Sequence, residues 1–243
     1  VRVGEPSRVA ESAEQLSSSG MNRQTLILAC VVVTSLLVWH RVGMAPIERS
    51  RAALNRFEFA WSQQQIDAAV SALEDAAVAD RWDVTPWLQL ASIHRSLAVA
   101  RPGEREKWEA RWDEAEQEAI ARAPRDPVVL KQLGDNRLIH FQRYQQPATL
   151  QRANAIFERV VTLSPSHQAY AAQWAAILWF SDDPRAADVA KRAQTLSQAG
   201  GYYERSLDYT LIFPLEGTSA IDSGEAVQRP ASQVLAKLLQ EGG

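Results

Sequence analysis

The sequence predicts an all-α protein in which an N-terminal transmembrane helix leads into an α-solenoid of about four helix pairs. Three observations carry that expectation. Residues 25–39 read TLILACVVVTSLLVW, without a single charge. From about residue 47 to 196, apolar positions recur at helical spacing and the breaks fall at Pro, Gly and Asp. Within that stretch a local pattern repeats: a small residue, a bulky one four later, a small one three after that, then a stop.

The chain has 243 residues, room for one solenoid domain with flanking segments. An apolar share of 46% allows a sizeable core. The net charge of −3 excludes the strongly basic balance that nucleic acid requires. Arg outnumbers Lys and Ala is abundant, a composition that points to a bacterial source. Cys30 stands alone inside the apolar run, so neither a disulfide framework nor a thiolate metal site forms within the chain.

Fifteen helical residues rise about 22 Å, short of a hydrocarbon core of about 30 Å. Extending the span to residues 24–44 reaches that length if His40 and Arg41 snorkel to the interface beside Trp39. The run Val31–Thr34 is β-branched, yet lipid forces a helix because every backbone polar group must be satisfied internally. The segment is expected to be a signal anchor, with Met21, followed by Asn-Arg and the apolar run, as a candidate start of translation. Two alternatives compete. A cleaved signal peptide would use Gly43 and Ala45, but Pro46 directly follows; a lipoprotein would use Cys30, but only Leu26–Leu28 precede it as an apolar region. Residues 1–22 are polar and expected to be disordered, residues 23–44 form the span, 45–199 the repeats, and 200–243 an aromatic segment, a loop and a capping helix. The cations flanking the span leave its orientation open.

The clearest repeat begins at Pro86. Trp87, then Leu90-Ala91, then His94 put a large ring, a branched residue, a small residue and a second ring on one helix face. The following unit keeps Leu130, Leu133 and Gly134 but has Arg137 at the second ring position. Second helices carry Ala69, Leu73 and Ala76; Ala153, Phe157, Val160 and Pro165; and Ala186, Ala190 and Ala193. The run Ala119–Pro127 ends another, with Trp112 and Glu116 where a small and a bulky apolar residue are expected. Asp183 is placed to cap the last of these helices, with Pro184 in its first turn.

This pattern resembles the W-x₂-L-G-x₂-Y first helix and the Ala-rich second helix of tetratricopeptide (TPR) repeats. The resemblance covers roughly residues 50–199 and departs from the family's 34-residue period. Extra residues fall around 100–107 and 143–149, which requires longer helices or added loops. The family implies stacked helix pairs that hold protein or peptide partners along the face made by first helices. By position it implies Thr85, Leu88, Ser92 and Arg95 there in one unit, and Lys131, Asp135 and Leu138 in the next. Lys131 fits a carboxylate clamp, but Asp135 opposes an anionic ligand, so capture of a C-terminal carboxylate is not expected.

No catalytic constellation is expected. His40, His94, His140 and His167 show no metal-ligand spacing, and no nucleophile elbow, Walker loop or dinucleotide fingerprint occurs. The acidic run of Asp113, Glu114, Glu116 and Glu118, flanked by Arg105, Arg111 and Arg122, reads as a solvated helix face. Trp61, Trp87, Trp108, Trp112, Trp174 and Trp179 are expected mainly in the core. Trp82, in a turn, is the best candidate for a partner-facing anchor. In the tail, Tyr202, Tyr203, Tyr209 and Phe213 cluster ahead of a loop, and a last helix near residues 231–240 buries Val234, Leu235, Leu238 and Leu239 as a cap.

The function expected is therefore a single-pass scaffold of a bacterial inner-membrane or envelope complex. It is expected to bind proteins, to use no cofactor and no metal, and not to be an enzyme. A second expectation is of another class. A membrane span leading into divergent helix pairs, with the W-L-Q-L-A helix, is similar to the tails of O-antigen-ligase-like polytopic proteins, which implies an active site outside these residues.

Overall fold

The computed structural model describes residues 23–199, 210–212 and 228–241. Helix α1 (Arg23–Trp39) passes through a π turn (His40–Met44) directly into α2 (Ala45–Ser62), so one unbroken helix joins the apolar run to the first repeat element. Pro46 explains the π turn. A proline has no N–H to donate and its ring collides with the carbonyl four residues back, here that of Val42. The chain relieves this by widening one turn, and the Ala45 N–H bonds the His40 carbonyl five residues back. The helix continues rather than breaking.

The remaining helices are α3 (Ile66–Ala79), α4 (Thr85–Ala100), α5 (Arg105–Arg122), α6 (Pro127–Tyr144), α7 (Pro147–Leu163), α8 (Gln168–Phe180) and α9 (Ala186–Ala199). They pack chiefly as adjacent pairs: α2 with α3, α4 with α5, α6 with α7, and α8 with α9. Pairs then meet their neighbours through α3 and α4, α4 and α6, α5 and α6, and α7 and α8. The extra residues beyond the family period lie mostly in longer helices. Only Gln145, in the left-handed region at φ 51°, and Gln146 separate α6 from α7, and the connection before α5 is a short 3₁₀ turn at Pro102–Glu104. Sharp starts follow local chemistry: the Asp126 carboxylate accepts the Val128 and Val129 N–H groups at 2.9 and 3.3 Å, with Pro127 in the first turn. Before α9 the expectation shifts slightly. Asp183 closes a turn on the Arg185 N–H at 2.9 Å, and the regular helix begins only at Ala186.

Small residues set how closely the helices approach. Ala69, Leu73 and Ala76 of α3, Ala153, Phe157 and Val160 of α7, and Ala190 and Ala193 of α9 are fully buried. Gly134 shows why: a methyl group there would stand 2.5 Å from the Phe157 ring and 3.3 Å from Ile156. Second helices are tied along the stack by Arg111 to Glu74 (2.7 Å), Arg152 to Asp113 (2.5 Å) and Arg185 to Glu158 (3.0 Å). Arg159 and Arg192 each reach back to a turn, donating to the carbonyls of Pro124 (2.9 Å) and Pro165 (2.7 Å).

The tail contains strand structure that the sequence pattern does not announce. Strands β1 (Thr210–Ile212) and β2 (Gln228–Pro230) pair antiparallel, Leu211 opposite Arg229, and β1 lies against α6 and α8. The Gln173 carboxamide grips its backbone in both directions, donating to the Ile212 carbonyl (2.8 Å) and accepting the Ile212 N–H (2.9 Å). Helix α10 (Ala231–Glu241) packs on α8 and α9, burying Val234, Leu235 and Leu238, with Leu239 half-buried. Tyr202, Tyr203, Tyr209 and Phe213, and residues 1–22, lie outside the described residues.

Replacing Gly134 by Ala forces the Phe157 ring out of place and is expected to destabilise the fold by about 1–3 kcal/mol. Thermal unfolding followed by circular dichroism checks this. The double variant Gly134→Ala/Phe157→Leu is expected to recover part of the loss; additive losses would show that the two residues do not share the contact.

Candidate functional site

The face shared by α4 and α6 holds most of the residues that the family resemblance implies. Asn136 Nδ2 donates to Ser92 Oγ at 3.2 Å and joins the two first helices. Lys131 and Asp135, one turn apart on α6, form an ion pair at 2.5 Å. Burial raises the Asp135 carboxyl above the usual range, and Lys131 acts against that rise. Asp135 Oδ1, Gln89 Oε1 and Arg95 Nε are buried without a hydrogen-bond partner. Burial also lowers the Arg95 guanidinium. This face therefore carries an unmatched carboxylate oxygen, an amide oxygen and a guanidinium N–H beside the Ser92–Asn136 bridge. Leaving such atoms unpaired typically costs about 1–3 kcal/mol each.

Other assigned positions fall elsewhere. Thr85 is exposed and Leu88 half-buried. Leu138 corrects the expectation: it is fully buried in the core and offers nothing to a ligand. Trp82 stands apart from this face, in the turn between α3 and α4, 77% exposed, with the Arg81 guanidinium 4.7 Å from its ring centre. Trp108, Trp112 and Trp174 are buried and Trp87 and Trp179 half-buried, but Trp61 is exposed near the end of α2. Trp61 is the exposed exception among the six rings expected mainly in the core: it lies near the hairpin tip and stacks only loosely, 5.9 Å from Phe57.

The largest correction concerns the acidic run on α5. Glu116 is only 6% exposed and so departs from the solvated face, while Glu114 is exposed and Glu118 pairs with Arg122 as that reading expects. Arg137, itself 4% exposed, donates from Nε to Glu116 at 2.7 Å and from Nη2 to Asp113 at 2.5 Å, and lies 3.8 Å over the Trp112 ring. Arg152 completes the chain on the other side of Asp113. Arg137 and Glu116 are two of the positions at which the sequence departs from the pattern it resembles. An arginine replaces the expected ring on α6, a glutamate replaces the expected bulky residue on α5, and the two departures meet as an ion pair. The signal lay in that coincidence, which one-dimensional spacing cannot show. Burial raises the Glu116 carboxyl despite Arg137, whereas the more open Asp113 is held low by Arg152 and Arg137 against its own desolvation.

His140 continues the buried polar layer. Its ring packs 5.0 Å from Trp112 and 4.6 Å from Tyr144, and neither nitrogen has a hydrogen-bond partner. Glu109 Oε1 approaches Nε2 at 3.3 Å and favours the charged imidazole. Burial outweighs it, helped by Arg105, Arg137 and Arg95, and the pKa falls to about 4. His94, against Trp108 at 5.6 Å, is likewise lowered by burial. Among the described residues no group of His, Cys, Asp and Glu is placed to hold a metal ion. No protein-family model matches the chain, and no curated protein matches it significantly.

Two measurements follow from this layer. Arg137→Met leaves Glu116 buried and uncompensated and is expected to destabilise by about 3–5 kcal/mol, while Arg137→Met/Glu116→Leu recovers most of the loss in chemical denaturation. His140 is neutral when folded and takes up a proton when unfolded, so its contribution is complete above pH 6.5 and is lost as pH falls toward about 4. His140→Phe, which keeps a ring, is expected to lose about 3 kcal/mol less stability across that window than the parent chain. Equal pH slopes would refute the neutral imidazole.

Proposed function

We propose that this chain is a membrane-anchored, TPR-like scaffold that holds protein partners in a bacterial envelope or inner-membrane complex. One observation carries the reading: a helix long and apolar enough to cross a membrane runs without interruption into a series of adjacent helix pairs. The described side chains of α1 are exposed, as a lipid-facing helix requires. The small-residue contacts at Gly134, Ala153 and Phe157 support TPR-like pairing, since such pairs bury their apolar faces only by stacking. The half-buried polar side chains of Gln89, Ser92 and Arg95 on α4, and of Lys131 and Asp135 on α6, would supply a recognition face for a polar peptide segment.

Photo-crosslinking from Ser92 and Lys131 in intact membranes tests the reading. Both positions are expected to capture the same protein, and Arg95→Ala is expected to reduce capture severalfold, whereas a crosslinker at Gln63 on the hairpin tip should capture none of it. A chain that is extracted from membranes by alkaline carbonate, or that yields no shared product from the two positions, would overturn it.

A further inference from the structure

The turn between α3 and α4 carries the most exposed large apolar side chains of the repeat region. Val78 is 80% exposed and Trp82 77% exposed, with Arg81 over the indole. Neither apolar group covers core, and exposure of a tryptophan to water is unfavourable by roughly its buried area. The fold determines what lies opposite them. Because α1, the π turn and α2 are one helix, the direction of α2 is tied to that of the apolar run. Helix α3 folds back antiparallel, in the register held by the Arg56–Asp75 ion pair at 2.9 Å. Its 14 residues return about 20 Å toward the apolar end. The same distance measured down α2 from Ser62 reaches the level of Arg49, and Met44 lies only about 7 Å lower.

A bilayer's headgroup layer is about 5–8 Å deep on each side of its hydrocarbon core. With α1 filling that core up to the π turn, the turn beyond α3 comes down onto the headgroup layer, where tryptophan is the favoured side chain. The charges agree. Arg49 and Arg51, in the first turns of α2, are exposed, and the helix rise puts them at about the height of Arg81, with the exposed Arg41 of the π turn about 12 Å lower. The carboxylates of the turn between α3 and α4 are engaged locally: Asp80 accepts the Trp82 N–H at 3.0 Å and Asp83 the Thr85 N–H at 2.9 Å.

We propose that Trp82, with Val78 and Arg81, is a second membrane contact, seated in the headgroup layer of the bilayer that α1 spans. The contact rests on the membrane-spanning reading of α1 and extends it, because it fixes the repeat stack as a bracket standing on two feet. The first pair then leans on the lipid surface instead of pivoting about the π turn.

Spin labels on the full chain in phosphatidylcholine/phosphatidylglycerol vesicles test both levels. The native Cys30 reports the span. Cys30→Ser/Trp82→Cys reports the contact, and Cys30→Ser/Gln63→Cys, at the far hairpin tip, reports open water. Expected are a label at 30 accessible to oxygen and shielded from a nickel chelate, a label at 82 with severalfold lower nickel access than the label at 63, and a smaller difference in vesicles lacking anionic lipid. A shielded label at 30 with equal access at 82 and 63 overturns the contact and leaves the span standing. A label at 30 open to nickel overturns the span and the contact with it. Trp82 is exposed, so its replacement leaves the fold intact; matching circular dichroism of the variants confirms that access is read on one structure.

Discussion

The approach of Gly134 to the Phe157 ring sets the separation of α6 from α7, and the rest of the stack depends on contacts of that kind. A helix pair shares a face only as wide as its small residues allow. Where a methyl group would stand 2.5 Å from a ring, the backbone of one helix touches the side chain of the other directly. The buried alanines at 69, 76, 153, 190 and 193 keep other helices equally close. Inside a pair, a small residue on one helix makes room for a large one on the other, as Gly134 does for Phe157. Stability is therefore shared along the stack instead of residing in one element.

The buried charges are consistent with that arrangement. Arg137 and Glu116 occupy positions where rings and aliphatic chains pack in ordinary repeats, and their pairing keeps the α5–α6 contact intact. A buried ion pair is weak evidence of stability, since desolvation offsets most of the attraction. Its effect is on register. Arg137 must meet Glu116, Asp113 and the Trp112 face at once, which admits one axial setting of α6 against α5. A purely apolar seam of Ala and Leu would tolerate sliding by a turn.

Much of the helical order is legible in one dimension, because small-large-small spacing is a property of a single helix face. Ala69-Leu73-Ala76 and Ala153-Phe157-Val160 could be read in that way and are buried as such. What escaped depends on two segments at once. The Arg137–Glu116 pair joins residues 21 apart in the chain and looks like two unrelated defects until the helices are placed side by side. Leu138 was placed on the first-helix face by repeat position, yet it is fully buried, because repeat position does not say which neighbour covers it. Strand β1 is three residues long and is held by the Gln173 carboxamide from a distant helix, so no local alternation marks it. Of the candidate site, Ser92, Arg95, Lys131 and Asp135 were reachable through repeat position. The unpaired oxygen of Gln89 was not, since an unsatisfied atom is visible only in packing.

Pro46 has an effect out of proportion to its place in the chain. A proline at this point would ordinarily end or kink the helix and leave a hinge between the apolar run and the repeats. The π turn absorbs the missing bond within one helix, and the His40 carbonyl finds the Ala45 N–H in its place. A hinge would let the helix pairs sample all orientations relative to α1, and on the proposed reading a recognition face would then carry no directional information. A continuous helix transmits direction instead. The face of α4 and α6 is set at a defined angle and height relative to α1, through the antiparallel turn of α2 into α3 and the packing of α3 on α4. On the proposed scaffold reading this geometry matters more than affinity, because a partner held at fixed height would be presented to its neighbours in one orientation. The π turn that accommodates Pro46 is, physically, the element that keeps the apolar run and the first helix pair on one continuous helix.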